Sequence, residues 1–281
     1  MCATAENLAY LRELVYRRSA IVLEADKHYL IDSRLTPLAR DVGLGTIDAL
    51  VAKLRQNEGA TLTKRVIEAM TTNETFFFRD FHPFEALKLQ LLPEIVKARG
   101  AQRELRVWCA AASTGQEPYS IAMTIRDSFP ELASWRIQIL ATDLNAAVLD
   151  RAREGKYRQL EVNRGLPAQM LLKYFERVGA DWQLKNAIRE MITFQELNLL
   201  DPWLGVGPQD LIFMRNILIY FDVETKRRIL GRVRQILRPD CFLVLGGAET
   251  TSNLDDGYEP VRVGNGVYYR IKSSARIPHV A

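Results

Sequence analysis

The chain has 281 residues, 48% apolar and 26% charged, enough for one large and one small domain with hydrophobic cores of their own. Its 38 basic and 34 acidic side chains leave a formal net charge of +4, short of the concentrated positive field that a dedicated nucleic-acid binder carries. Cys2, Cys109 and Cys241 are too scattered for a disulfide framework or a CxxC metal site, and no apolar run approaches the roughly 20 residues of a membrane span.

The chain starts with Glu6 and Glu13 among its apolar residues and has no basic-then-apolar secretion signal, so a cytoplasmic protein with no direct membrane insertion is expected. Residues 1–75 read as a helical domain. Leu8, Leu11 and Val15 share one face, and Ile47, Leu50, Val51 and Leu54 follow the i, i+3, i+4, i+7 spacing. A further helix is predicted from Pro83, with a stripe of Phe84, Leu87, Leu91 and Ile95 and a stop at Gly100.

From Leu105 the pattern changes to short apolar runs at 105–109, 137–141, 191–194, 211–214 and 242–245, alternating with helices. That alternation predicts an α/β domain over 76–281, a doubly wound parallel sheet with helices on both faces. Between the second and third runs, Phe175–Val178, a Gly179-Ala180-Asp181 turn and Trp182–Lys185 read as a small antiparallel β-subdomain inserted at about 156–195. The chain closes with Tyr258–Val263, a Gly264-Asn265-Gly266 turn and Val267–Ile271, a hairpin by its turn chemistry.

In such sheets ligands bind beyond the carboxyl ends of the strands, so the residues after each run matter most. The first run leads into Ala110-Ala111-Ala112-Ser113-Thr114-Gly115-Gln116-Glu117-Pro118, small residues that let a ligand approach the backbone. The loop lacks the GxGxxG glycines and carries an acid where a pyrophosphate would need a helix amino terminus, which argues against a nicotinamide dehydrogenase and for a ligand with a positive group. The second run ends in Asp143, placed to accept hydrogen bonds from a ribose diol. The third is followed by Glu196-Leu197-Asn198-Leu199, and the fourth continues into Arg215-Asn216 and Tyr220. A polar Arg-Asn pair in so apolar a stretch is costly unless it meets backbone groups or a ligand. Upstream, Asn73-Glu74-Thr75-Phe76-Phe77-Phe78-Arg79-Asp80 mixes aromatics with polar groups in the segment joining the domains. Each feature also has a plain structural reading: Glu117 as a helix-entry acid, Asp143 as a helix cap, Tyr220 as a packed ring, and the aromatics as a buried hinge.

Taken in order, NETFFFRD, AAASTGQEPYSIA, ATDLNAAVLDRAREGKY and LIFMRNILIYF strongly resemble the chemotaxis receptor glutamate O-methyltransferases, the CheR-type family. The resemblance implies a small helical domain joined to a Rossmann-like class I methyltransferase domain with an inserted three-stranded subdomain, and S-adenosylmethionine as cosubstrate. It implies that Asn73, Thr75 and Arg79 line the cosubstrate, Glu117 holds its amino group and Asp143 takes the ribose hydroxyls. Asn198, Leu199, Arg215 and Asn216 complete the pocket, and Arg79 and Tyr220 lie nearest the reacting methyl. The product is S-adenosylhomocysteine, no metal is called for, and the implied partners are the cytoplasmic helices of methyl-accepting chemotaxis receptors, met by a monomer through Lys27, Arg34 and Arg40. A solvated helix face is the plainer reading of those three.

Two departures stand out. Gln116-Glu117 replaces the family's two successive glutamates, and the turn at Gly179-Ala180-Asp181 is shorter than in members that grip a receptor's carboxyl-terminal pentapeptide, so independence from that tether is expected. His28, His82 and His279 are scattered, as expected for a reaction whose glutamate nucleophile is already ionised. The competing reading is a non-catalytic regulatory module that binds the same cosubstrate in a chemosensory-like pathway.

Overall fold

The computed structural model describes residues 3–56 and 60–272, so Cys2 and His279 lie outside the described residues. The chain forms two units. One holds the chain up to Thr72 together with two short segments, Asn198–Asp201 and Tyr220–Thr225. The other holds Asn73–Leu197, Pro202–Ile219 and the chain from Lys226.

The first unit is built on α1 (Ala5–Ser19), α2 (His28–Asp41), α3 (Ile47–Arg55) and α4 (Ala60–Met70). Thr4 and Thr46 cap α1 and α3 by accepting the amides of Asn7 and Ala49, donors that a helix start otherwise leaves unpaired. The expected stripes are the buried faces: Leu11, Val15, Ile47, Leu50, Val51 and Leu54 are all buried, while Leu8 is half-buried. Arg34 of α2 caps the end of α4 from the side, donating to the carbonyls of Met70 (2.6 Å) and Thr71 (3.2 Å) and to Thr72 Oγ1 (2.9 Å). A cation there satisfies orphan carbonyls and meets the negative end of the helix dipole. The two appended segments are tied in by Asn198 Nδ2 to Arg18 O (2.7 Å), Val22 N to Tyr220 O (2.9 Å) and Tyr16 OH to Asp222 Oδ2 (2.6 Å).

The α/β unit opens with α5 (His82–Ala86), which passes through a wide turn at Leu87–Leu91 into α6 (Leu92–Arg99). The stripe of Phe84, Leu87, Leu91 and Ile95 is buried as expected, but the helix is not regular: the Leu92 amide reaches back five residues to the Leu87 carbonyl. Pro93, in the first turn of α6, accounts for this. A proline ring inside a regular helix collides with the carbonyl four residues earlier, and a π-type turn opens the room it needs.

Next come β1 (Glu104–Ala110), α7 (Gln116–Ser128), β2 (Arg136–Asp143) and α8 (Ala146–Glu154). The insert consists of β3 (Lys156–Arg158), α9 (Gln159–Val162), α10 (Ala168–Tyr174), β4 (Phe175–Val178), β5 (Asp181–Leu184) and α11 (Asn186–Arg189). The main sheet resumes with β6 (Ile192–Glu196), β7 (Gln209–Met214), α12 (Val223–Ile236), β8 (Leu237–Leu245), β9 (Tyr258–Val263) and β10 (Gly266–Ile271).

The seven strands of the main sheet run in the order β6-β2-β1-β7-β8-β10-β9, parallel as far as β8 and antiparallel from there to β9. The chain runs outward from β1 to β2 and β6, then returns to the other side of β1 for β7 and β8. That reversal opens a crevice at the carboxyl ends of β1 and β7, the usual ligand position in this class. The insert is a separate sheet of order β3-β5-β4, in which β3 joins the hairpin read from the sequence. Its expected end near 195 needs correction, because Ile192–Glu196 pairs in parallel with β2 and so belongs to the main sheet. At the far end of β7, Asp210 is fully buried and accepts from Arg99 Nε (2.7 Å), the Arg106 amide (2.9 Å) and Arg238 Nη1 (3.0 Å), an anchor that the sequence did not reveal.

Candidate functional site at the strand tips

The loop after β1 is held in a strained shape. Ala111 and Ser113 take positive φ (60° and 51°), and Gly115 takes φ 92° at the entry to α7. A Cβ on Gly115 would lie 2.9 Å from Ala152 Cβ and 3.2 Å from the Tyr157 hydroxyl, so both backbone angle and space demand glycine. The Asp143 carboxylate fixes this loop to the tip of β2, accepting the Ser113 amide on one oxygen (2.8 Å) and the Asn145 amide on the other (2.9 Å). Capping of α8 falls instead to Asn145, whose side chain accepts from Ala147 (3.0 Å) and Val148 (3.4 Å). The helix-cap reading of Asp143 therefore gives way: its carboxylate braces two strand tips. Burial pushes its pKa up, opposed by those backbone donors.

The segment from Asn73 to Phe81 lies against this loop. Ser113 Oγ donates to Asn73 O (2.9 Å), and the Phe78 amide donates to Ser120 Oγ on α7 (3.0 Å). Phe78, Asp80 and Phe81 all have positive φ (51°, 65° and 53°), a cluster of costly conformations of the kind that gathers at functional sites. Arg79 Nη1 donates to Glu74 O (2.9 Å).

Glu117, on the first turn of α7, meets the residue that follows β7. Arg215 is buried and donates Nη1 to Glu117 Oε2 (2.8 Å), and Nη2 to Asp80 Oδ2 (2.7 Å) and Arg79 O (2.9 Å). The Arg215 guanidinium is thus the brace that joins β7, α7 and the upstream segment. Burial raises the Glu117 carboxyl above its ordinary range, with Arg215 pulling the other way. Asn216, at φ 58°, begins a loop gathered by one carboxylate: Glu249 accepts the amides of Asn216 (2.8 Å), Gly246 (2.7 Å), Ile217 (2.9 Å) and Ile219 (3.3 Å).

Sequence reasoning missed Glu249, Tyr157 and Ser113. Glu249 had one visible cue, an acid directly after Gly246-Gly247-Ala248 at the end of the last parallel run. Three acids, Asp80, Glu117 and Glu249, are gathered around Arg215 and the loop that follows it, while Asp143 holds the neighbouring loop after β1. A buried carboxylate such as Glu117 is a partner that suits a cationic ligand. A cavity of about 530 Å³ adjoins the loop, walled by Asn73, Thr75, Thr114 and Gln116 on one side and by Ala147 and Val148 of α8 on another.

Of the other expected residues, Asn198, Leu199 and Tyr220 belong to the helical unit, where Asn198 also turns its own loop by accepting the Leu200 amide (3.1 Å). Lys27 precedes α2 in a short 3-10 turn and pairs with Glu24 (2.6 Å), Arg34 is committed to the end of α4, and Arg40 is exposed. His28 is exposed, and His82 sits with Nδ1 2.8 Å from Asp80 O.

A doubly wound sheet whose first tip loop lacks phosphate-binding glycines, and whose neighbouring tips carry buried acids, defines a nucleoside-binding domain for a positively charged ligand. The comparisons with known proteins place it further. Residues 6–71 match the CheR methyltransferase all-alpha domain, and residues 73–266 match the CheR methyltransferase SAM binding domain. The chain is 42% identical to chemotaxis protein methyltransferase 1 of Pseudomonas aeruginosa, covering 97% of this chain and 100% of that protein. It is 39% identical to chemotaxis protein methyltransferase Cher2 of Pseudomonas putida (93% and 96% covered) and 38% identical to the chemotaxis protein methyltransferase of Salmonella typhimurium (86% and 83%). The chain belongs to the CheR methyltransferase family and is an S-adenosylmethionine-dependent methyltransferase.

Proposed function

We propose that this enzyme methylates glutamate side chains on the cytoplasmic helices of methyl-accepting chemotaxis receptors, giving glutamate methyl esters and S-adenosylhomocysteine, and that it works in the cytoplasm as a monomer. The likeness to chemotaxis protein methyltransferases over nearly the whole chain carries this reading. No helix among the described residues is long and apolar enough to cross a membrane.

The cosubstrate supplies a methyl group activated by a sulfonium. Toward it, Glu117 offers a buried carboxylate to the ammonium group, Asp143 offers its remaining lone pairs to the ribose hydroxyls, and Asn73 and Thr75 line the adjoining wall. Arg215 and Asn216 support the site through the hydrogen bonds that hold Glu117 and the Glu249 loop. Asn198, Leu199 and Tyr220 are proposed as cosubstrate or acceptor contacts on the family resemblance alone. A glutamate acceptor, with a reference pKa of about 4.3, is ionised at neutral pH and needs no general base. The work left to the protein is to hold nucleophile and methyl in line and to exclude water. Arg79, half-exposed, with Nη1 donating to Glu74 O and its guanidinium 5.7 Å from the centre of the Phe76 ring, is the cation proposed to orient the incoming carboxylate. Labelled methyl transfer to a purified receptor signalling domain, with the label released as methanol by base, tests the proposal. Label that stays on another acceptor or resists base would refute it.

Receptor docking is assigned to the face bearing Lys27 and Arg40, with Arg34 contributing through the end of α4 that it caps. Arg40→Glu should raise KM for receptor about fivefold, with kcat and melting temperature unchanged, as for a rim charge at an electrostatically matched interface. An unchanged KM would remove Arg40 from the docking face. The two-residue turn between β4 and β5, with Gly179 at φ 64°, supports independence from a receptor tail peptide. Low-micromolar binding of such a peptide in calorimetry would contradict that.

A further inference from the structure

The insert also reaches the loop that follows β1. Tyr157 of β3 is buried, and its hydroxyl donates to the Thr114 carbonyl (2.7 Å), one residue before Gly115. Its ring packs edge-on against Phe77 (centroids 4.9 Å apart), and Phe175 of β4 packs edge-on against the same Phe77 (5.6 Å). A second contact lies further along the insert. Arg164 pairs with Glu74 (2.6 Å) and stacks over the Phe76 ring (4.3 Å). Gly165, at φ 82°, lies so close that a Cβ would fall 2.0 Å from the Phe77 carbonyl oxygen. The cavity beside Asn73 and Thr75 is completed by Leu160, Glu161 and Arg164 of the insert.

We propose that Tyr157 is a positioning residue of the cosubstrate site, and that the insert sets the shape of both the 111–117 loop and the 73–79 segment through Tyr157 and Arg164-Gly165. This rests on reading those two stretches as the cosubstrate contacts. A phenylalanine would serve the ring packing alone. The hydroxyl adds a directed bond to the carbonyl that fixes the entry to Gly115, a group whose placement a ligand at this loop feels. Linkage then requires reciprocity: a ligand that orders the loop must also steady the insert, and a partner that engages the insert must shift cosubstrate affinity by the same factor.

Tyr157→Phe keeps the ring and deletes the bond. By calorimetry it should bind S-adenosylhomocysteine about tenfold more weakly, the scale of one lost buried hydrogen bond. KM for S-adenosylmethionine should rise in parallel while kcat at saturation stays near wild type, a split that general destabilisation does not produce. Arg164→Met, a half-exposed pair that leaves the core intact, should weaken binding about threefold. Gln159→Ala, which removes the Trp182 Nε1 hydrogen bond (2.8 Å) elsewhere on the insert, should leave affinity unchanged. In hydrogen exchange, S-adenosylhomocysteine should slow the amides of Lys156–Arg158 in the wild type and not in Tyr157→Phe. Wild-type binding with undiminished affinity in Tyr157→Phe, or equal losses in Tyr157→Phe and Gln159→Ala, would overturn the proposal. A wild type that does not bind S-adenosylhomocysteine would instead overturn the site reading beneath it.

Discussion

Arg215→Met should cost about 3–5 kcal/mol of stability, the penalty for breaking a buried ion pair from one side, and should abolish measurable binding of S-adenosylhomocysteine. The Arg215 side chain is 1% exposed and that of Glu117 12%, so little water can replace the lost guanidinium. The substitution also strips Asp80 Oδ2 and the Arg79 carbonyl of their donor, which loosens a stretch in which Phe78, Asp80 and Phe81 are held at positive φ. The deficit should depend on pH in a definite direction. With burial alone acting on it, Glu117 titrates further above its unfolded value. A carboxyl raised in the folded state contributes fully below the unfolded pKa and loses that contribution as pH rises through the folded one. The variant should therefore approach wild-type stability in mild acid and fall furthest behind above neutrality. Adding Glu117→Gln to Arg215→Met should recover part of the stability and none of the binding, because the unpaired charge is gone while the ammonium contact is still missing. Denaturant melts across pH, paired with calorimetry, read both quantities. A pH-independent deficit would show that the Glu117 charge is not its source.

Glu249→Ala should be the next most damaging change. It leaves the amides of Asn216, Ile217, Ile219 and Gly246 without the carboxylate that gathers them, and at about 1 kcal/mol net per bond the loss should reach roughly 4 kcal/mol. Glu249→Gln should do little better, since its amide nitrogen would face backbone N–H groups where an oxygen is needed. Because the loop carries Asn216 at φ 58°, a shape it holds only under constraint, turnover should fall well beyond what the lower stability explains at a temperature where the variant is folded. Near-normal turnover there would reduce Glu249 to a packing role.

How much of this was legible in the sequence follows from the range of each interaction. The parallel strands were visible because each carries a short, mostly apolar run, and Glu117 and Asp143 because they stand in the segments that follow two of these runs. The turn at Leu87–Leu91 was hidden behind a stripe that reads as regular helix, although Pro93 marks its cause. β3 is three residues long, too short to show a period, and was expected only through the family resemblance. The hardest features to foresee join residues far apart in the chain. Arg34 has the spacing of a solvated basic face, yet it is spent on carbonyls 36 and 37 residues away. Arg215 was recognised as costly without a partner, but which partners satisfy it depended on contacts across 98 and 135 residues. Glu249 and Tyr157 carry no local pattern that separates a brace from an ordinary buried acid or ring.

Glu117, on the helix after β1, and Asp143, at the tip of β2, are proposed as the seat of a cationic sulfur nucleoside. Calorimetric titration of S-adenosylhomocysteine into the wild type and Asp143→Ala examines this most directly. The wild type should bind one ligand per chain, and Asp143→Ala should bind at least about thirtyfold more weakly, the scale of lost hydrogen bonds to a charged group. Absence of binding heat from the wild type, or equal affinity in the two proteins, would contradict it.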